Sequence, residues 1–499
     1  MRLSQEWLTQ QGNKVGIQKY PERILQIGEG NFMRGFVDWL IHRLNAAGEY
    51  QGRVVVAKPL STGDGKIREW NAQDGLYTVW RRGVENGKLV DSPEVVQSVS
   101  RCINPYTEWE EFMACAQNPE IDIVTSNTTE AGLAYVEEAY VPGVCPTSFP
   151  AKLTAYLYER YQRFQGDADY GLEIVPCELV ENNGNVLREL VLRYVTAWGL
   201  PDVFANWIKN SNHFYNTLVD SIVTGFNTAD PELLSSRMAY EDRLGAIREP
   251  FYLWVIQGDG ELPTKLNFPA AGLNVRYVED VAPFLLIKVR ILNGAHTSLA
   301  GLSFLAGLET VREAVTDGDI GPFVRSILQN EIIPALARQG VLREEADSFA
   351  TAVLERFENP LLRHEIASLQ LNGLSKIAVR ILPSLNDYLA LTGELPRGLV
   401  LAIAGQLLYY RNAQEPEHRW VIKDNREHVQ RVQAAWERVN TEGMERVASE
   451  ILAQRDMWGQ DLTGVRGLVQ LMTEDLLLLE AVGIRKAVAD YVQSVTLRS

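Results

Sequence analysis

Short apolar runs rich in β-branched residues recur through the first half of the chain, separated by stretches whose apolar positions repeat every three or four residues. RILQIG (23–28), RVVVA (53–57), IDIVTS (121–126) and LEIVP (172–176) read as buried parallel strands. Between the first two, Phe32, Phe36, Leu40 and Leu44 recur every fourth residue, the stripe of an amphipathic helix. Strands alternating with helices imply βαβ units on a parallel sheet. After Asp280 the strand pattern stops. Segments near 284–306, 319–338, 343–357, 398–411, 426–439, 444–456 and 466–497 carry helical periodicity, and the polar stretch 414–423 reads as a surface loop. The predicted architecture is an α/β domain over 1–280 followed by an all-α domain over 281–499, with Pro283 closing an extended run and opening a helix.

Composition narrows the function classes. The 499 residues are 46% hydrophobic and 22% charged, enough apolar material for two such cores. Lys and Arg total 48 against 64 Asp and Glu, a net charge of −16, so no nucleic-acid partner is expected. Cys102, Cys115, Cys145 and Cys177 lack metal-ligand spacing and read as reduced thiols of a cytoplasmic protein. The opening MRLSQEWLTQQGN has no apolar core behind a basic region. The longest apolar stretch, 399–410, is too short for a bilayer, so no membrane partner is expected. An enzyme is the class that remains.

The first strand runs straight into Gly28-Glu29-Gly30-Asn31-Phe32-Met33-Arg34 and then a helix. Gly28 permits a tight turn, Gly30 lets the backbone approach a pyrophosphate, and the helix N-terminus offers unpaired N–H donors. This is a Rossmann-type nucleotide turn whose third glycine is replaced by Met33; its alternative is a plain glycine turn. A second loop, Ser126-Asn127-Thr128-Thr129-Glu130-Ala131-Gly132, follows another strand and suits the same crevice. The second strand ends Val56-Ala57-Lys58-Pro59, without the acid that would select NAD, so the residues alone leave NADP open.

The second half holds the reactive-centre candidates. At about 100° per residue, Lys288, Asn293 and His296 share a sector of about 140° on one helix. A lysine among apolar neighbours is suited to general acid–base work, because desolvation disfavours its charged form. Asn and His can hydrogen-bond a developing alkoxide. The alternative places Lys288 and Arg290 at a helix surface, with His296 as a satisfied core residue. No His or carboxylate stands three or four residues from His296, so no metal site is expected.

With these motifs in hand, the chain resembles the polyol-specific long-chain dehydrogenases, the mannitol dehydrogenase family. The family's G-x-G-x-F-x-R turn is matched by Gly28, Gly30, Phe32 and Arg34. Its T-x-T-E-x-G-like loop is matched in part by Thr128, Thr129, Glu130 and Gly132, and its K-x-x-x-x-N-G-x-H signature by Lys288, Asn293, Gly294 and His296. The resemblance implies metal-independent hydride transfer with NAD. Lys288 would be the acid/base and Asn293 and His296 would hold the reacting oxygen, with substrate between the two domains. It also implies a cofactor set of Ile24, Gly28, Glu29, Gly30, Asn31, Phe32, Arg34, Thr128, Thr129 and Glu130. The stretches PCELVENNG, LVDSIVTG and RFENP resemble a branch acting on six-carbon sugar acids. Cys177-Glu178-Leu179 replaces a family Cys-Asp-Asn, which would pass a substrate-assisting role to Asn182 or Asn183. Val219-Asp220-Ser221-Ile222 keeps a family acid at Asp220 but loses the following arginine. A small sugar-acid substrate needs cations for its carboxylate, and Arg363, Lys376 and Arg380 are the candidates. A protein of another class, a non-catalytic NAD(H) sensor, would need the Gly28–Gly30 turn but not Lys288.

Overall fold

The computed structural model describes residues 1–12, 19–61, 65–226, 236–413 and 420–497; residues 414–419 of the predicted loop lie outside them. The chain divides into two compact units, Met1–Arg82 with Leu89–Val281, and Gly83–Lys88 with Ala282–Ser499.

The first unit is built on strands β1 (Glu22–Ile27), β2 (Arg53–Ala57), β3 (Tyr77–Glu85), β4 (Lys88–Val96), β5 (Val99–Ile103), β6 (Ile123–Ser126) and β7 (Glu173–Pro176). They are followed by β8 (His213–Phe214), β9 (Asn216–Asp220), β10 (Val223–Gly225), β11 (Ala246–Arg248), β12 (Leu253–Gln257) and β13 (Val275–Val278). Six of them form an all-parallel sheet in the order β5-β2-β1-β6-β7-β8. Counted within this sheet, that is the doubly wound order 3-2-1-4-5-6, which reverses direction between β1 and β6. Both faces are covered, which is why these strands read as near-continuous apolar runs. The two-residue alternation splits them cleanly. Ile24, Val54 and Val56 join a core with Phe36, Leu40 and Trp70, while Leu25, Ile27, Val55 and Ala57 join another with Phe112, Leu153 and Trp207.

Two smaller sheets, β10-β11-β3-β4 and β13-β12-β9, depart from the alternating pattern expected. The link between β3 and β4 is Asn86-Gly87, with φ of +54° and +72°. Two left-handed residues in sequence make the turn whose twist matches a hairpin.

The second unit is helical around one large core. Its elements include α1 (Ala282–Ile287), α2 (Gly294–Leu305), α3 (Arg343–Phe357), α4 (Gly373–Arg380) and α5 (Arg397–Asn412). Residues Gly398–Tyr410 of α5 are buried without a break, so this helix is central rather than amphipathic. The predicted helix over 284–306 is interrupted by a π turn, Lys288–Asn293, between α1 and α2. Among the described residues no helix is long and apolar enough to cross a membrane.

Candidate active site

The glycine turn sits at the carboxyl end of β1, where the sheet order reverses. Gly28 holds φ +131°, and a Cβ there would lie 2.7 Å from the Asn127 carbonyl oxygen. Its N–H donates to the Ala57 carbonyl, and the Asn127 N–H donates to Ile27 (both 3.0 Å), so the turn is tied to β2 and to the loop after β6. Gly30 is exposed, with no atom within 4 Å of where its Cβ would stand. It precedes a helix running from Asn31 through a π turn, Arg34–Asp38, to Ala46. An open backbone position at the start of a helix suits a dinucleotide pyrophosphate. Glu29, Asn31 and Phe32 are half-buried at the same turn, and one Glu29 carboxylate oxygen is buried without a partner.

Below the turn lies a polar layer that sequence reading missed. The Gln26 amide donates to the Gly28 carbonyl at 2.9 Å and to Asp38 at 3.4 Å. Tyr77 donates to the Arg34 carbonyl at 3.0 Å. Asp38 is fully buried, and desolvation pushes its carboxyl up to about 7 against the lowering effect of Gln26, Tyr77 and Arg34. The missing third glycine has a counterpart two residues on. A Cβ at Gly35 would meet Val223 at 2.5 Å, so the close helix packing falls there, while Met33 fills the core.

The loop after β6 is ordered by one buried acid. Glu178 accepts from the Ser126 hydroxyl (3.0 Å), the Thr128 N–H (2.9 Å) and the Thr128 hydroxyl (3.0 Å). Burial raises its pKa in spite of these donors. Thr129 is exposed in left-handed backbone, φ +73°. The Glu130 side chain lies outside the described residues.

In the second unit the π turn changes the register of the reactive-centre candidates. The Gly294 N–H reaches back to the Val289 carbonyl, five residues earlier. Such i→i+5 bonding brings residues five apart closer around the axis than a regular helix does, and Lys288 and Asn293 are the two ends of this turn. His296 follows three α-helical residues later, close to one full turn. The three therefore share a narrower face than a regular helix would give them. Arg290, on the same turn, is buried and ion-paired with Asp387, so it does not lie at the surface.

His296 stacks on Phe357 at 4.1 Å between centroids and meets the ring of His364 edge-on at 4.9 Å. Its Nε2 is buried without a partner. Desolvation holds the ring well below the usual histidine range, and the charges of His364, Arg356, Arg380 and Lys376 push the same way. A neutral imidazole in a cationic surround is the result. Among the described residues no group of three His, Cys, Asp or Glu side chains is placed to hold a metal ion. A separate cavity of about 880 Å³, lined among others by Glu331, Tyr388, Arg397 and Tyr491, contains none of these site residues.

Comparison with known proteins matches residues 22–268 to the mannitol dehydrogenase Rossmann domain and residues 280–480 to the mannitol dehydrogenase C-terminal domain. The chain belongs to the mannitol dehydrogenase family. Altronate oxidoreductase of Halalkalibacterium halodurans is 42% identical over 94% of this chain and 93% of its own. The enzyme of the same name from Pectobacterium carotovorum is 42% identical over 95% and 97%. Among solved structures, Pseudomonas fluorescens mannitol 2-dehydrogenase with NAD and D-mannitol covers 99% of this chain and 100% of its own, with TM-score 0.69 at 20% identity. A substrate-free D-sorbitol dehydrogenase gives TM-score 0.78 at 21% identity, covering 98% and 100%. These two establish the shared fold of a parallel-sheet domain followed by a helical one. As a family member the chain is an oxidoreductase acting on CH–OH groups.

Four of the residues expected to touch ligands in this dehydrogenase are placed otherwise. Ile24 is 1% exposed in the core beneath the sheet, with no surface to offer a cofactor. Arg34 is 3% exposed and donates to the Glu29 carbonyl and the Asn31 side chain, so it braces the turn from behind. Asn183 is fully buried. Its amide donates to Pro176, Glu178 and Thr217 and its oxygen accepts from the Gly184 and Thr217 N–H groups, leaving nothing for a substrate. Arg363 is surface-exposed and ion-paired with Glu309 and Glu365. Asp220 is buried at the end of β9, Leu179 is exposed after β7, and Lys376 is half-buried with its ammonium donating to the Leu369 carbonyl at 2.9 Å.

Proposed function

We propose that this chain interconverts D-altronate and D-tagaturonate with NAD, serving the breakdown of hexuronates. The observation that carries this reading is the set of cations around His296, which suits a substrate bearing a carboxylate better than a neutral polyol. The 42% identical relatives named altronate oxidoreductase agree with it.

In this reading Gly28, Glu29, Gly30, Asn31, Phe32 and Thr129 hold the dinucleotide in the first unit. Bound there, NAD supplies the hydride acceptor in oxidation and the donor in reduction. Lys288 takes the hydroxyl proton as the alcohol is oxidised and returns it to the carbonyl oxygen in reduction. Asn293 donates to that oxygen from the same helix face. His296, neutral by burial, can donate one N–H without a competing positive charge at the lysine. Lys376 and Arg380 steer the carboxylate. Such preorganised donors stabilise the charge that develops on the oxygen.

The test is NADH consumption with D-tagaturonate beside D-fructuronate, D-fructose and NADPH. Preference for tagaturonate with NADH is expected. Preference for fructuronate or fructose would overturn the substrate, and preference for NADPH the cofactor.

A further inference from the structure

We propose that His364 is a specificity residue of this site and reads the carboxylate of the sugar acid; the inference rests on the reading above. The backbone around it is extended. Glu365 forms an antiparallel bridge with Thr310, the His364 carbonyl accepts from the Val311 N–H at 2.9 Å, and the Ile366 N–H donates to Glu309 at 2.8 Å. Side chains alternate along such a segment. Arg363 and Glu365 point outward and pair with each other, and Arg363 also pairs with Glu309. His364 turns inward, its ring 4.9 Å from that of His296 at an interplanar angle of 78°. The cation conspicuous in the sequence is thereby sent to the surface, and its neighbour is sent to the site.

Two features of the surroundings favour an anion beside this ring. Lys376 bears on both histidines, and Arg356 and Arg380 also bear on His296. The acid that bears on Lys376, Asp424, is already committed, accepting from the Leu374 N–H at 2.9 Å and from the Tyr410 hydroxyl. A carboxylate entering here meets the positive charge of Lys376 and Arg380, which both bear on His296. A half-buried imidazole offers a directional N–H and, unlike a lysine, need not carry a charge in the empty site. With Phe357 covering one face of His296, His364 is the polar ring in contact with it.

The experiment compares His364→Ala and His364→Leu with the parent enzyme in steady-state reduction of D-tagaturonate. KM is expected to rise about 10- to 100-fold, the size of one lost hydrogen bond to a charged group. Turnover at saturation should stay within about threefold, and NADH affinity should be unchanged. His364→Gln, which keeps an N–H donor, should recover part of the loss. A lowered kcat at unchanged KM would overturn the proposal, showing that His364 only positions His296. A second measurement avoids dependence on variant folding. The six histidines of the parent chain can be followed by NMR as D-altronate is added, and a His364 signal that does not move also overturns it. A parent enzyme silent toward tagaturonate overturns both this proposal and the reading beneath it; an active parent with an indifferent His364 overturns this one alone.

Discussion

The imidazole of His296 lies against the ring of Phe357 at 4.1 Å, with 23° between their planes. One face of the imidazole is therefore a packed wall, which resists the χ2 rotation that would swing the ring out of this orientation. Phe357 is 5% exposed. Replacing it with leucine keeps an apolar contact but removes the flat surface, at a stability cost of about 1–2 kcal/mol. Turnover should fall about tenfold or more, since a loosened donor forfeits orientation, while NADH affinity stays the same. Stopped-flow turnover and fluorescence titration would separate these; equal turnover would mean the stack does not set the ring.

Lys288 carries the sharpest test of catalysis. Methionine keeps the length of the stem and removes the proton carrier. For Lys288→Met the expected outcome is a loss of about 10²- to 10⁴-fold in kcat, the usual worth of a general acid–base group. NADH binding in the first unit should be untouched. A variant that turns over as fast as the parent would falsify the acid/base role and bring the sensor alternative forward.

At Gly28 two separate constraints meet, a backbone angle of +131° and a carbonyl oxygen 2.7 Å from any Cβ. Gly28→Ala must move either the turn or the loop at Asn127. Loss of NADH binding is expected, together with a drop in thermal midpoint, because the native conformation is closed to alanine. Titration with NADH checks it, and an unchanged affinity would show that the cofactor does not depend on this turn.

These residues also show how far the sequence could be read. The parallel strands were legible because burial on both faces leaves an uninterrupted apolar run, as in RVVVA. The smaller sheets were not, since β3 and β4 mix polar and apolar positions, although Asn86-Gly87 was a usable hairpin signal. Lys288, Asn293 and His296 were grouped by spacing on an assumed regular helix; the π turn over Lys288–Asn293 leaves no composition signature. Glu178 stood in a motif noted only for its departure from the family, and its three hydrogen bonds depend on a loop 50 residues away in sequence. Arg363 and His364 show the hardest case. Adjacent residues in extended backbone face opposite ways, and only the bridge from Thr310 to Glu365 decides which one faces inward.

Asn183 is expected to matter for stability instead of substrate binding. It links the end of β7 to β9 through the Thr217 N–H and hydroxyl. Alanine there would strand the buried N–H of Gly184 and the half-buried N–H of Thr217. A loss of about 2–3 kcal/mol is expected, the desolvation cost of such groups. KM for the sugar acid should be unchanged in the folded fraction. Chemical denaturation together with steady-state kinetics checks both halves, and a stable variant with a raised KM would restore Asn183 to the substrate site.

Asp38 makes the stability of the first unit depend on pH. Its ordinary value of 3.8 is raised to about 7, chiefly by desolvation. Between those two values the folded chain holds a proton that the unfolded chain has released. Unfolding then gives up a proton, and the contribution of Asp38 to stability declines as pH rises from about 4 to about 7. Glu331 and Asp475, also raised to about 7 by burial, act in the same direction. Asp38→Asn keeps an acceptor for the Gln26 amide but has no proton to lose. Its thermal midpoint should fall less steeply across this window than the parent's and should lie above the parent's at pH 8. Calorimetry at half-unit steps from pH 4.5 to 8 would show it. Parallel curves for the two proteins would mean that Asp38 stays ionised in the folded chain, and that Arg34 outweighs its burial.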